Sequence, residues 1–383
     1  MSTAAPAEPV LQPIEGLCAE GFELIRQAFV ENFTIRGDVG AALTVVAHGD
    51  MVVDLWGGWR DEARTQRWQR ETVVNIWSTT KGVAAMCFAM LVDQGRANYE
   101  EPVATWWPEF AQAGKGAVTL GDLLSHRAGL CGFATPASVA DLLAGSRSAA
   151  RLAAQAPLWP LGEGFGYHAI TGGILATELF ERIEGRSLRK FVADELAGNR
   201  GLDIQIGLAA ADEPRRAKMI APADMTSVDV GSLSAPQIAA LGNPPLDPLL
   251  PNSLDWRRAD LPSANGHATA RALAELYWRL ISGELVSTET LRCATSVRSE
   301  GVDLVLGVPT RWAAGFLRNT GGVYGPNDAA FGHSGWGGSF AMADPATGVT
   351  IAYVMNRMGS MLRDDPRDVA LIQAVFDALE SLA

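Results

Sequence analysis

The length, composition and charge of the chain limit what it can be. Its 383 residues are 48% hydrophobic and 19% charged, which suits a large globular protein with a substantial core. The net charge is −12, and Lys and Arg are not clustered. Nucleic acid and anionic membranes are therefore poor candidate partners, because both bind to a basic surface.

Other features of the composition bear on where the protein works. The longest apolar run, near residues 83–92, is too short to cross a membrane. The first residues have neither the basic nor the apolar region of a signal peptide. Four scattered cysteines, at positions 18, 87, 131 and 293, form no Cys-x-x-Cys pair and are expected to be reduced thiols. The sequence therefore predicts a cytoplasmic protein.

Hydrophobic spacing predicts helices and antiparallel hairpins in chain order. Residues 18–33 should form a helix, because four apolar side chains in this stretch share one helical face. The segment 41–58 predicts a hairpin that turns at residues 48–50, and 72–77 a short strand. Helices are expected at 83–95, 120–125, 139–154, 170–183, 187–196 and 269–282. Strands at 339–343 and 349–356 predict a second hairpin, followed by a helix at 368–382.

This order predicts the fold class and a domain organisation. Strands at both ends of the chain must pair to make one sheet, which indicates an α/β fold with an antiparallel sheet flanked by helices. We expect residues 15–85 and 285–383 to form this discontinuous domain. Residues 86–284 are expected to form an inserted, mostly helical region with active-site loops. The stretch 221–262 predicts a long loop over a site.

Ser78-Thr-Thr-Lys81 is the first segment that could do chemistry. It follows a predicted strand and opens an apolar helix, where the helix N-terminus favours developing negative charge. Residues at i and i+3 share a helical face, so Lys81 can reach Ser78. Partial burial would lower the pKa of the lysine and let it activate the serine. Alone, the pattern is weak, because an N-cap serine with a solvated lysine would look the same.

Two glycine-rich segments could complete a site around Ser78. In Trp-Pro-Leu-Gly-Glu-Gly-Phe-Gly-Tyr167-His-Ala, the glycines leave room for a phenol that could shuttle protons. In Phe-Gly-His333-Ser-Gly-Trp-Gly-Gly338, glycines beside a strand would let a substrate approach the backbone. Without the first motif, both segments could equally be ordinary structural loops.

Together these motifs resemble the serine beta-lactamase and penicillin-binding-protein superfamily. The order is Ser-x-x-Lys, then the Tyr167 loop, then a basic-x-Gly strand. Residues 123–130 (LLSHRAGL) and the segment from Gly266 are also similar to class C beta-lactamases and related esterases. The resemblance spans about residues 20–380. It implies Ser78 as nucleophile, Lys81 as its base partner and Tyr167 as general acid or base.

Two departures from class C beta-lactamases resemble family VIII carboxylesterases. Tyr-x-Asn is replaced by Tyr-His-Ala169, and Lys-Thr-Gly by His333-Ser334-Gly335. The resemblance implies that the substrate is contacted by His333, Ser334, Gly335, Trp336 and Ala169, with the Trp336 N–H as second oxyanion donor. Asn265, in Ser-Ala-Asn, is also expected to line the site. We predict hydrolysis of short-chain carboxylic esters, with weak beta-lactam hydrolysis possible.

The sequence is compatible with several other functions. A beta-lactamase, a D-aminopeptidase or transpeptidase, or an acyltransferase could use the same nucleophile, and a non-catalytic binding protein could share the fold. No serine has glycine at both −2 and +2, which excludes the nucleophile elbow of lipase-type esterases. The five histidines show no ligand spacing and no nucleotide loop is present, so neither metal nor cofactor is predicted. The oligomeric state is not predicted.

Overall fold

The computed structural model describes residues 13–224, 233–361 and 364–382. Its strands are β1 (Ile14–Cys18), β2 (Gly40–Ala47), β3 (Asp50–Gly58), β4 (Val74–Asn75), β5 (Ile204–Ile206), β6 (Gly266–Ala268), β7 (Ser299–Val302), β8 (Pro309–Trp312), β9 (Leu317–Arg318), β10 (Phe331–Ser334), β11 (Phe340–Asp344) and β12 (Val349–Met355). Its helices are α1 (Glu23–Thr34), α2 (Thr80–Asp93), α3 (Leu120–Leu124), α4 (Val139–Leu142), α5 (Ser146–Ala154), α6 (Thr171–Glu184), α7 (Leu188–Phe191), α8 (Ala235–Leu241), α9 (Leu254–Arg258), α10 (Ala270–Ile281), α11 (Thr288–Thr295) and α12 (Pro366–Leu382). A π-helical turn, Val192–Gly198, continues α7.

Strands from both ends of the chain form one sheet. Nine strands pair in the order β1-β3-β2-β12-β11-β10-β9-β8-β7, and every pairing is antiparallel. N-terminal β2 pairs with C-terminal β12 from Ala47 opposite Val349 to Ala41 opposite Met355. The predicted antiparallel α/β fold is confirmed.

Helices cover both faces of this sheet. Strand side chains alternate between the faces, so one face presents Leu43 and Ile351 to α1 and α12. The other face presents Ala352 and Val354 to α10, and α2 packs against the same sheet at β10. Every residue of α2 from Thr80 to Leu91 is buried. A polar side chain at the start of α2 is therefore removed from water.

Three predicted elements differ from the structure. Residues 14–18 form an edge strand on β3, so the first helix begins only at Glu23. Gly16 interrupts the apolar pattern of this strand. A glycine is required there because a Cβ would lie 2.0 Å from the Asp54 carbonyl oxygen. The helix expected at 139–154 is two helices, broken at Gly145 where φ is +58°. The predicted strand 72–77 is only Val74–Asn75.

Strand β4 belongs to a small second sheet that leads to Ser78. It pairs with β6, which also pairs with β5. This sheet therefore fixes the position of the chain just before α2.

The predicted loop at 221–262 contains α8 and α9, and its residues 225–232 lie outside the described part of the chain. No helix within the described ranges is long and apolar enough to cross a membrane.

Candidate active site

A strained turn places Ser78 at the start of α2. Trp77, immediately before it, has φ = +44°, a left-handed conformation that is costly for a large side chain. The Trp77 amide donates to Asn75 Oδ1 at 3.1 Å. The Trp77 ring packs against Trp256 and Trp336, with centroids 5.3 and 5.0 Å away. These contacts hold a tight strand-to-helix turn that leaves Ser78 facing a cavity.

Lys81 lies one helical turn beyond Ser78 and is buried. Its Nζ is 3.1 Å from Ser78 Oγ and donates to the carbonyl oxygens of Ala169 at 2.6 Å and Ser263 at 2.8 Å. Burial lowers the pKa of the Lys81 ammonium well below its usual value. A neutral amine has two N–H groups and one lone pair. The two carbonyls engage both N–H groups, so the lone pair is left for the Ser78 hydroxyl.

Tyr167 is the third side chain of the group around Ser78. Its hydroxyl lies close enough to the Ser78 side chain to interact with it. Its ring stacks on Trp312, with centroids 5.3 Å apart and planes 5° from parallel. Burial raises the pKa of the Tyr167 phenol above its usual value, so the phenol is protonated at neutral pH. Tyr167 can therefore give a proton where neutral Lys81 can accept one.

Two buried histidines shape the loop that carries Tyr167. His168 Nδ1 donates to the Gly166 carbonyl at 2.7 Å, and its Nε2 accepts from the Leu130 amide at 3.1 Å. The His168 amide donates to His126 Nδ1 at 3.3 Å. Burial lowers the pKa of His168 to about 4 and that of His126 well below its usual value. Both rings are neutral and structural, and nothing in the sequence spacing signals the role of His168.

The turn after β10 brings the third predicted motif to the same cavity. His333 Nδ1 donates to the Ser334 carbonyl at 2.9 Å. Burial, assisted by nearby Lys81, lowers the pKa of His333 to about 3, so the ring is neutral at pH 7. A side chain at Gly335 would meet the Ile76 carbonyl oxygen at 2.4 Å, which explains the glycine.

Two backbone amides at the cavity are available to bind an oxyanion. Neither the Ser78 nor the Trp336 N–H has an acceptor among the residues the structure describes. The turn that carries Trp336 is held from behind by Arg367, which donates to the Gly337 carbonyl at 2.6 Å. Buried Arg367 also pairs with buried Asp38 at 2.9 Å. No sequence pattern connects Arg367 to this turn, and only the fold reveals the contact.

The structure does not place every predicted residue at the cavity. Ala169 lines it, and its carbonyl is a partner of Lys81. The expectation that Asn265 lines the site needs correction. Its side chain is fully buried and donates to the carbonyls of Trp256 and Ala259, the latter at 2.9 Å. Its role is to hold the chain beside Trp77, with which it forms a parallel bridge.

The cavity has a volume of about 1270 Å³ and a mainly apolar lining. Ser78, Tyr167, His333, Ser334, Gly335 and Trp336 all contribute to it. Aromatic and aliphatic side chains surround these residues, including Trp77, Ile170, Leu241, Leu246, Leu306 and Trp312. All the charged side chains that line it in the described ranges are acidic: Asp364, Asp365, Asp368, Asp377 and Glu380. Within those ranges the lining therefore offers an anionic ligand no lysine or arginine side chain.

A family model described as Beta-lactamase matches residues 26–375, nearly the whole chain. The chain belongs to the beta-lactamase family. A curated relative, "Esterase/beta-lactamase LipL" of Mycobacterium tuberculosis, is 34% identical over 89% of this chain and 82% of its own length.

Two solved structures are similar to this chain over nearly its whole length. A family VIII carboxylesterase is 39% identical with a TM-score of 0.89, and the match covers 96% of this chain and all of the other. A penicillin-binding-protein homologue from Caulobacter crescentus is 42% identical with a TM-score of 0.90 and the same coverage.

Proposed function

We propose that this chain is a serine carboxylesterase that hydrolyses short-chain esters through an acyl-enzyme on Ser78. The observation that carries the proposal is the environment of Lys81. Burial favours its neutral amine, two carbonyls engage the N–H groups of that amine, and its lone pair is then left beside the Ser78 hydroxyl. The names of the similar proteins, a carboxylesterase and an esterase/beta-lactamase, support the same reaction class.

The chemistry follows from these positions. Ser78 Oγ attacks the ester carbonyl carbon while its proton passes to Lys81, and the amides of Ser78 and Trp336 hold the oxyanion. Collapse of this intermediate expels the alcohol, which takes the proton back from Lys81 through the Tyr167 hydroxyl. Water then attacks the acyl-enzyme and gives a proton to the same pair. Ser78 recovers that proton as the carboxylic acid leaves.

The cavity favours esters over beta-lactams, because the described part of its lining has no side chains that would bind the carboxylate and the amide of a beta-lactam. A cephalosporin presents a carboxylate, but His333 is neutral and the charged lining side chains in the described ranges are acidic. It also presents an amide, and Ala169 has no side-chain group to bind it. A short neutral ester needs neither contact. The competing activity, beta-lactam or D-amino-peptide hydrolysis, would use the same acyl-enzyme.

We expect kcat/KM for a butyrate ester to exceed that for a cephalosporin by roughly two to three orders of magnitude. The missing contacts are a charge-assisted hydrogen bond, worth about 1.5–3 kcal/mol, and a neutral one of about 1 kcal/mol. The double change Ala169→Asn with His333→Lys should move the ratio toward the cephalosporin. Both substrates would be measured on both enzymes. A parent enzyme that prefers the cephalosporin would establish the lactamase alternative instead.

The Tyr167→Phe variant tests the proton shuttle. It removes the hydroxyl that contacts Ser78 and keeps the ring stacked on Trp312. We expect kcat to fall by roughly 10²–10⁴-fold, the usual contribution of general acid–base catalysis. Steady-state kinetics on one short ester would separate the effect on kcat from the effect on KM. A change in KM alone would make Tyr167 a substrate-binding residue.

We also propose a cytoplasmic location and no nucleic-acid partner. These rest on the net charge of −12 and on four cysteines that are all free thiols. Fractionation of cells that express the full chain would test the location.

A further inference from the structure

Asp303 is a buried carboxylate close to Tyr167 that the proposed chemistry does not use. It lies in the turn between β7 and β8 and is fully buried. Its Oδ1 accepts from the amides of Tyr167 at 3.0 Å, Val305 at 2.8 Å and Leu306 at 3.0 Å. Its Oδ2 accepts from Trp312 Nε1 at 3.1 Å. Four N–H donors thus stabilise the carboxylate in place of an ion pair.

Two of these four donors help to position Tyr167. One is the main-chain amide of Tyr167 itself, and the other is the indole of Trp312, whose ring stacks on the phenol. The turn also meets the Tyr167 loop where the Leu304 amide donates to the Phe165 carbonyl at 3.0 Å. One carboxylate therefore fixes both the backbone and the ring of Tyr167.

We propose that Asp303 is a positioning residue that holds the Tyr167 hydroxyl at Ser78 by fixing the Tyr167 main chain and its stacking partner, Trp312. This inference rests on the proposed function. Burial is the main reason that the pKa of Tyr167 is raised, and the Asp303 carboxylate raises it further. The same group that places the phenol therefore also helps to keep it protonated.

An asparagine at position 303 would have nearly the same shape as the aspartate, but it would lose the hydrogen bond from Trp312 and keep the one from the Tyr167 amide. Its single carbonyl oxygen can still accept from the backbone amides. Its NH₂ group is a donor and cannot accept from Trp312 Nε1. Asp303→Asn therefore releases the indole on which Tyr167 stacks, while the turn keeps its amide contacts.

The experiment is a double-mutant cycle with Tyr167→Phe, with kcat and KM measured on one short ester. Asp303→Asn alone should lower kcat by about 10- to 100-fold, the usual effect of misplacing a catalytic group by about an ångström, with little change in KM. In the Tyr167→Phe background the same change should have almost no further effect, because the hydroxyl it positions is already absent.

Asp344→Asn is the matched control. Asp344 is a fully buried carboxylate at the β11–β12 turn and accepts from the Ala346 amide and the Thr347 hydroxyl, both at 2.9 Å. It contacts neither Tyr167 nor Trp312, so its substitution should lower kcat far less than Asp303→Asn does, even though its partners Asn327 and Thr347 line the cavity. A loss of kcat in this variant as large as in Asp303→Asn would mean that any buried charge matters equally and would overturn the proposal.

Equal losses from Asp303→Asn in the parent and in the Tyr167→Phe background would also overturn the proposal, as would a parent-like kcat for Asp303→Asn.

If Asp303→Asn does not fold, Trp312→Phe removes the same hydrogen bond, and its kcat effect should likewise vanish in the Tyr167→Phe background. An additive effect there would count against the proposal. Full activity of Tyr167→Phe would contradict the proton shuttle on which this inference depends, and a parent enzyme without esterase activity would contradict the proposed function itself, so the two failures are distinguishable.

Discussion

Ser78→Ala should abolish ester hydrolysis and leave the fold intact. Ser78 is the only serine whose hydroxyl meets both neutral Lys81 and protonated Tyr167 among the described residues. Loss of a catalytic serine typically lowers kcat by roughly a million-fold, and about 10³–10⁴-fold of catalysis over water persists through binding and the oxyanion donors. The helix should form normally, since alanine is a good helix former. Activity would be measured beside a thermal unfolding curve.

Ser148→Ala provides the control for this loss. Ser148 is buried, and its hydroxyl donates to the Asp141 carbonyl in a helical region that does not line the cavity. We expect a change in stability there without a change in kcat. Near-native activity of Ser78→Ala would contradict the whole assignment.

Lys81→Arg should be almost as damaging as Lys81→Ala, although it keeps a long basic side chain. Arginine stays protonated at every accessible pH and cannot accept the Ser78 proton. Its guanidinium would also bring a charge into a site where burial already lowers the pKa of the lysine. The expected loss approaches that of Ser78→Ala, because residues that act as a unit give similar single losses. Single-turnover assays would measure it.

Lys115→Arg is a closely matched control. Lys115 is also buried and donates to two carbonyls, of Gln112 at 2.7 Å and Gln155 at 2.5 Å, and burial lowers its pKa too. It does not line the cavity, so kcat should be unchanged. A fully active Lys81→Arg enzyme would eliminate Lys81 as the base.

The pH dependence of the parent enzyme follows from the titration of Lys81. The neutral fraction of Lys81 grows as pH rises through its folded pKa, which lies well below 10.5. Activity should therefore rise from acid to mildly alkaline pH. His333, with a pKa of about 3, should add no step near pH 6.5, where an ordinary histidine titrates.

The fold was predictable because its central strands are short apolar runs bounded by turn residues and several of its helices have a regular apolar spacing. The pairing of β2 with β12 followed from hairpins at both ends of the chain. The edge strand at Ile14–Cys18 was not predictable, since Gly16 interrupts its pattern. The break at Gly145 was not predictable, because a glycine is also tolerated inside a helix and the sequence does not record its φ of +58°.

The groups around Ser78 were predictable from motifs, but the residues that hold them were not. Ser78, Lys81 and Tyr167 follow recognisable local patterns. Asp303 and Arg367 act through single contacts with loops distant in sequence, which no spacing records. Asn265 shows the opposite error, because a motif-like position became a buried structural amide.

Labelling with a fluorophosphonate, read by intact mass, tests the central claim most directly. The reagent forms a stable covalent bond with an activated serine and needs no knowledge of the natural substrate. We predict one adduct on the parent chain, lost in Ser78→Ala and retained in Ser148→Ala. An unlabelled parent chain, or an adduct that persists in Ser78→Ala, would contradict the account.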